Sequence, residues 1–282
     1  MRTVSFIIIS LLLFMTLFTG CTKKDELSIR ICGYSDSIPE NSHKLEYQEW
    51  SEEAFVDSKA EKNISLSVGS IEVAGEYVET EIRFSEFYKT HKYRDENNRF
   101  FSVTDDGKLC AYFFGNRSSE DDNERTYTES ECIDIARKFL SNITDVSEYT
   151  VTTVFDEDRR LYTVSFVKYA DGFRCSDRAD IRIEETGYIY SFSSTMLGRV
   201  SSDVTTNFDN EAIRSQIISK LDSEYSEAKQ AYDDVSYENF DYELTIDDDG
   251  KYALICSIDV KCTRSYDGYD SIISERIRLL IQ

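Results

Sequence analysis

The chain has 282 residues, with 32 basic against 54 acidic side chains and a formal net charge of −22. Such a surface repels phosphate backbones and anionic headgroups. No run of lysine or arginine offsets it, so nucleic acid is excluded as a partner and electrostatic adhesion as a route to a membrane. A chain of this length buries a core without needing disulfides, and 19 tyrosines and 17 phenylalanines supply apolar bulk for it.

At the N-terminus Arg2 precedes an apolar run from Val4 to Phe18, followed by the small residues Thr19 and Gly20. This is the charged region, hydrophobic region and cleavage point of an export signal. The run is about 15 residues, short of the roughly 20 that a spanning helix needs. The arrangement Leu17-Phe18-Thr19-Gly20-Cys21 resembles the lipobox of bacterial lipoproteins. That resemblance implies that residues 1–20 are a signal peptide and that Cys21 is diacylated as the mature first residue. It also implies that lipid holds the protein on the outer side of the cell membrane. Residues 21–60 are polar, lack sustained periodicity and read as a tether, with Trp50, Phe55 and Val56 suggesting a short helix from Ser51 to Lys59.

Residues 61–115 read as an N-terminal β-rich module. Ile64, Leu66 and Val68 alternate, further strand signals run to Phe84, and Phe101 to Phe113 forms a hairpin about Asp106-Gly107. The hydrophilic stretch Asn116 to Arg125 is a linker. Thr128 and Glu131 then form a capping-box pair, and Cys132, Ile135, Ala136, Phe139, Leu140 and Ile143 recur at helical spacing. Alternating strands follow at Tyr149 to Phe155, Leu161 to Val167, Ile181 to Ile183 and Tyr188 to Phe192, with turns at Asp171-Gly172 and Thr186-Gly187. The run TESECIDIARKFL, the strand pair with its Asp-Gly turn, and IRIEETGYIYSF resemble the PepSY-like modules of bacterial envelope proteins, which have a cystatin-like shape. The resemblance implies an α+β module over residues 126–200 and contact with an envelope peptidase or another protein; it carries over no binding residues.

A second, less regular module of this kind is expected over residues 207–282. It has Asp209 as N-cap, Ile213, Ile217, Leu221 and Tyr225 on one helical stripe, and strands at Tyr242 to Ile246, Tyr252 to Cys262 and Ser271 to Ile281. An 80-residue shift superposes Asp106-Gly107 on Thr186-Gly187, Val103 on Ile183, Leu109 on Ile189, Tyr112 on Phe192 and Cys132-Ile133 on Ala212-Ile213, the mark of an internal repeat. The fold expected is therefore α+β: tandem small modules, each one helix on its own curled antiparallel sheet, after the β-rich module.

Little in this pattern reads as chemistry. His43 and His91 both lie in polar, poorly patterned surroundings and read as exposed bystanders. The acidic groups Asp105-Asp106, Asp156-Glu157-Asp158 and Asp247-Asp248-Asp249 sit where strands reverse. They lack the alternating acids and closing glutamate of a calcium loop, so they read as turn residues. With Cys21 assigned to lipid, Cys32, Cys110, Cys132, Cys175, Cys256 and Cys262 show no zinc spacing, and buried free thiols are expected for most of them. The sequence thus points to no enzyme, metal or cofactor. It points to a lipid-anchored accessory or regulatory binding protein of the bacterial envelope whose partner, a protein or peptide, adds at an exposed strand edge. The alternative is a solute-binding lipoprotein that takes a carbohydrate or small cationic ligand.

Overall fold

The computed structural model describes residues 29–34, 53–82, 88–115, 125–206, 208–247, 249–266 and 269–282. The expected signal peptide, Cys21, Pro39, His43, Trp50 and the linker from Asn116 to Glu124 lie outside these residues. In chain order the first strands are β1 (Ile29–Tyr34), β2 (Glu53–Phe55), β3 (Asn63–Val68), β4 (Ile71–Ile82), β5 (Lys89–Arg94), β6 (Phe100–Thr104) and β7 (Leu109–Phe113). Helix α1 (Glu129–Leu140) precedes β8 (Tyr149–Asp156), β9 (Leu161–Ala170), β10 (Phe173–Glu184) and β11 (Ile189–Thr195). Helix α2 (Asn210–Glu224) and the single turn α3 (Ala228–Ala231) precede β12 (Asp234–Ile246), β13 (Tyr252–Tyr266) and β14 (Tyr269–Ile281).

Local signals hold well. The Thr128 hydroxyl accepts the Glu131 N–H, and the Glu131 carboxylate accepts the Thr128 N–H at 2.9 Å, so the capping box is closed at both ends. Asp209 accepts the N–H groups of Glu211 (2.9 Å) and Ala212 (3.1 Å) and starts the longer second helix. Asp171 and Gly172 take φ of 48° and 79°, the paired left-handed conformation that a two-residue hairpin demands. Three expectations fail locally. Two pieces of the expected tether, β1 and β2, are strands, and the second stands where a helix was expected. His91 sits on β5 rather than in a loop. The last three strands are also longer than their apolar cores, β12 starting at Asp234.

The larger correction concerns the sheet. The strands do not form separate modules; they hydrogen-bond into one 14-stranded mixed sheet in the order β1-β14-β13-β12-β10-β11-β7-β6-β5-β4-β2, with β3 beside β4 and β8 beside β9. β7 of the N-terminal region pairs antiparallel with β11 through Tyr112↔Phe192, and β10 pairs parallel with β12 through Arg174↔Glu243 and Cys175↔Leu244. A meander standing alone would leave rows of unpaired amides at its edges, and joining edge to edge satisfies them. Those pairings join residues far apart in sequence, where local periodicity carries no information.

Both long helices lie on one face of this sheet. Cys132, Ala136, Phe139 and Leu140 of α1 pack on Val164, Phe166, Ala179, Ile181, Ile183 and Phe192. Ile213, Ile217 and Leu221 of α2 pack on Cys175, Leu244, Leu254, Cys256, Ile277 and Leu279. Rings link the first core, from Tyr93 stacked on Phe101 (5.4 Å between centroids) to Phe139 edge-on to Phe192 (5.2 Å). On β10 the inward Ala179, Ile181 and Ile183 alternate with the outward Arg178, Asp180 and Arg182, so the second face lies opposite the helices.

The 80-residue shift reappears in the backbone. Phe101↔Tyr112, Ser102↔Ala111 and Val103↔Leu109 in one hairpin correspond to Ile181↔Phe192, Arg182↔Ser191 and Ile183↔Ile189 in the other, each with its bulge at the same step. The turn bonds Gly107 N–H to Thr104 O and Gly187 N–H to Glu184 O are both 2.8 Å. The two hairpins abut through Ala111↔Ser193, Tyr112↔Phe192 and Phe113↔Ser191, a self-complementary register that places a local pseudo-two-fold axis between Tyr112 and Phe192. In the helices the shift is 81 rather than 80: buried Cys132, Ala136 and Leu140 answer to Ile213, Ile217 and Leu221.

Gly75 marks the tightest approach in the N-terminal part, because a Cβ there would stand 2.6 Å from the Arg94 carbonyl oxygen and 2.7 Å from the Phe101 ring. Gly75→Ala is expected to push β5 off β4 and cost about 1–3 kcal/mol in urea unfolding; an unchanged midpoint would contradict that packing.

Candidate functional site

His91 is half-buried within a hydrogen-bonded chain. Its Nδ1 meets Thr80 Oγ1 at 2.8 Å, its Nε2 meets Asp105 Oδ1 at 2.8 Å, and Thr80 Oγ1 also meets the Tyr77 hydroxyl at 2.8 Å. The order hydroxyl, imidazole, carboxylate has the composition of a nucleophile relay, but Thr80 is fully buried and its hydroxyl is already shared with Tyr77. A group without access to substrate is no nucleophile. The chain is a strut tying β4, β5 and the β6–β7 turn. The acidic turns are similarly engaged: Asp106 accepts Thr104 Oγ1 (2.5 Å) and Arg199 (3.0 Å), and buried Asp247 accepts the N–H groups of Asp249 and Lys251 and the Gln282 amide.

The most buried charge among the described residues was not visible as a site in the sequence. Asp177 lies where β10 breaks register between Arg174 and Arg178, with no exposed surface. Its Oδ1 accepts the Tyr149 hydroxyl at 2.5 Å and the Gly198 N–H at 3.1 Å; its Oδ2 accepts the Val200 N–H at 3.3 Å and faces Lys168 Nζ at 3.5 Å. Lys168 donates to the Val200 carbonyl (2.9 Å), pairs with Glu148 (3.0 Å) and lies over the Tyr149 ring. Next to Asp177, Ser176 Oγ donates to Thr245 Oγ1 on β12 at 2.9 Å. Burial lifts the Asp177 carboxyl above its ordinary value against the pull of its four donors, and burial with the Asp177 charge lifts the Tyr149 phenol above its own. A phenol held protonated is an anchor rather than a base. One signal was available: Lys168 falls on the inward phase of Val164, Phe166 and Ala170, where a charge needs a buried partner.

Three surfaces remain available. The outer edge of β8 is the first: among the described residues β8 pairs only with β9, through eight unbroken register steps, and it carries no charge before Asp156. Val154 and Phe155 are 69% and 40% exposed there. Native edges are ordinarily blunted by lysine, proline or a bulge, and this one has none of them.

A trough on the open sheet face is the second, with a volume of about 470 Å³. A single register row crosses it, Lys92, Ser102, Ala111, Ser193 and Asp180, so small side chains form a floor beside the pseudo-two-fold axis. Exposed Phe100 and Phe113 stand beside that floor, and Arg182 closes one side. Lys92 is held by Glu79 (2.8 Å) and Glu81 (3.3 Å), whose hydrogen bonds raise its pKa, and Asp180 accepts Ser165 Oγ at 2.5 Å. The third surface is an arginine-lined cleft farther along β10.

Comparison with known proteins gives little beyond shape. No family model matches the sequence, and no curated protein matches it either. Among solved structures, the Bacillus megaterium YpeB C-terminal domain is similar at a TM-score of 0.32 and 12% identity, over 75% of this chain and 88% of that one. An uncharacterized protein from Eubacterium rectale is similar at a TM-score of 0.30 and 13% identity, over 73% of each chain. Likeness at this level carries no argument about activity or partner. Among the described residues no helix is long and apolar enough to cross a membrane.

Cys110, Cys132, Cys175 and Cys256 are buried, and Cys262 is half-buried. Burial pushes the Cys132 thiol to about 11 and the Cys175 and Cys256 thiols to about 12. At pH 8 these three should therefore resist iodoacetamide in the native chain and react once it is denatured. Rapid native labelling of any of them, read by peptide mass spectrometry, would show the cores to be more open than described.

Proposed function

We propose that this chain is a non-catalytic accessory or regulatory binding protein of the bacterial cell envelope, held outside the membrane by lipid at Cys21, and that its partner is an extended peptide segment. The observation that carries the reading is the outer edge of β8. Among the described residues it offers seven regular, uncharged residues, Tyr149 to Phe155, with an unpaired outer side and two exposed apolar side chains. An added strand would satisfy those amides, and Val154 and Phe155 would give side-chain preference. The anchor rests on the export signal and the lipobox-like residues before Cys21, and the PepSY-like pattern of residues 126–200 agrees with an envelope role.

A second reading, a solute-binding lipoprotein, is favoured by the trough. Serines, Asp180 and Arg182 between two exposed phenylalanines match what a carbohydrate requires, polar groups for hydroxyls and ring faces for stacking.

The two readings separate experimentally. A displayed-peptide selection on the purified chain, followed by calorimetry with an enriched peptide, should give saturable binding that Val154→Lys weakens at least tenfold without lowering Tm, because Val154 is mostly exposed. Fatty-acid labelling in cells should be lost in Cys21→Ser. A thermal shift with a sugar panel and no peptide enrichment would instead support the solute reading, and self-association lost in Val154→Lys would make the occupant of that edge a second copy.

A further inference from the structure

The arginine cleft is independent of the β8 edge. It lies on the open face where β10 meets β12, has a volume of about 340 Å³, and is lined by Arg174, Arg178, Arg276 and Arg278 with only Asp241 and Glu243 as acids. In a chain with 54 acidic and 32 basic residues, this concentration runs against the composition. Register explains it. Asp241 pairs with Ser257 and Ser257 with Arg278, while Arg174 pairs with Glu243 and Glu243 with Ile255. A small serine in the middle row leaves a hollow, with guanidinium groups on both sides.

Donors in this hollow outnumber acceptors. Each guanidinium presents about five N–H groups and no acceptor. Arg174 donates to Asp241 Oδ2 at 2.9 Å and Glu243 Oε2 at 3.3 Å, and those same two oxygens also face Arg276 at 3.9 Å and Arg178 at 3.6 Å. At such lengths Arg178 is held by charge and not by a hydrogen bond. Among the described residues Arg278 pairs with no carboxylate, and Arg174 Nε is buried without a partner. A buried N–H with nothing to donate to costs about 1–3 kcal/mol unless something arrives to accept it.

From this geometry we infer that the cleft binds an oxyanion, a carboxylate or phosphate group of a small ligand, seated between Arg278 on one side and Arg174 and Arg178 on the other. The planar fork of a guanidinium matches the O–C–O or O–P–O edge of such a group. Asp241 and Glu243 orient the arginines without saturating them. Beyond roughly 10 Å at moderate salt the remaining acids are screened, so the ligand responds to the charges of the cleft itself.

The test is calorimetry of the purified full chain with inorganic phosphate and, separately, with succinate, at low and high NaCl. Variants are Arg278→Gln, which breaks no ion pair in the fold, and the distant control Lys251→Gln. Saturable binding of one or both anions is expected, weakening with salt, falling at least tenfold in Arg278→Gln and unchanged in Lys251→Gln. A preference for phosphate or for succinate assigns the group as phosphoryl or carboxylate. Absence of saturable binding with both anions, or equal binding by Arg278→Gln and the parent chain, would overturn the inference. Either result leaves peptide binding at Val154 to stand or fall on its own measurement.

Discussion

A carboxylate buried at a break in a strand governs how this chain is assembled. At Asp177 strand β10 stops pairing with one neighbour and takes up another: residues 174 and 175 run beside β12, and residues from 178 onward run beside β11. The irregular step places the Asp177 carboxylate inside the protein, where four donors surround it. Tyr149 reaches it from the start of β8, Lys168 from β9, and the N–H groups of Gly198 and Val200 from the segment leading to α2. β8, β9, β10 and the segment at residues 198–200 are tied at this point. Loss of one partner would leave a charge stranded away from water, which is far costlier than the ion pair itself is worth.

From this arrangement the rest of the architecture follows. Because β10 serves both cores, the meanders merge through their edges, and both helices must take the same face. The opposite face is left bare of helices, and it is there that β10 presents Arg174, Arg178, Asp180 and Arg182 in succession. The trough and the arginine cleft are thus two stretches of one surface, set by the strand that joins the halves. β8 touches that joint only through Tyr149 at its start and, among the described residues, is bonded on one side, and so retains an edge a partner can use.

How much of this could be read from residue order depends on range. The caps at Thr128 and Asp209, the helical stripes, the Asp-Gly turns and the repeated hairpin are local, and each was legible because a few neighbouring residues decide it. The merging of strands was not, since Tyr112↔Phe192 and Arg174↔Glu243 join distant segments whose alternation fits either an isolated or a shared sheet. β1 escaped notice because IRICGY lies in a polar region, and its strand state comes from pairing with β14. His91 looked unpatterned because its surroundings are polar, although its partners Thr80 and Asp105 stand on the adjoining strand β4 and in the β6–β7 turn. The arginines at 174, 178 and 182 recur at even spacing on one strand face, a signal that an overall charge of −22 conceals.

The central claim is that the Asp177 cluster holds both cores as one cooperative unit. It is tested most directly by hydrogen exchange with mass spectrometry on the parent chain and Asp177→Asn, following peptides from β8 and β9 in the first core and from β12 and β13 in the second. The account predicts that exchange accelerates by a similar factor in both sets, because the substitution replaces an oxygen that accepts these N–H and O–H groups with an amide and loosens the joint they share. Acceleration confined to residues 196–200, with both cores protected as before, would contradict it.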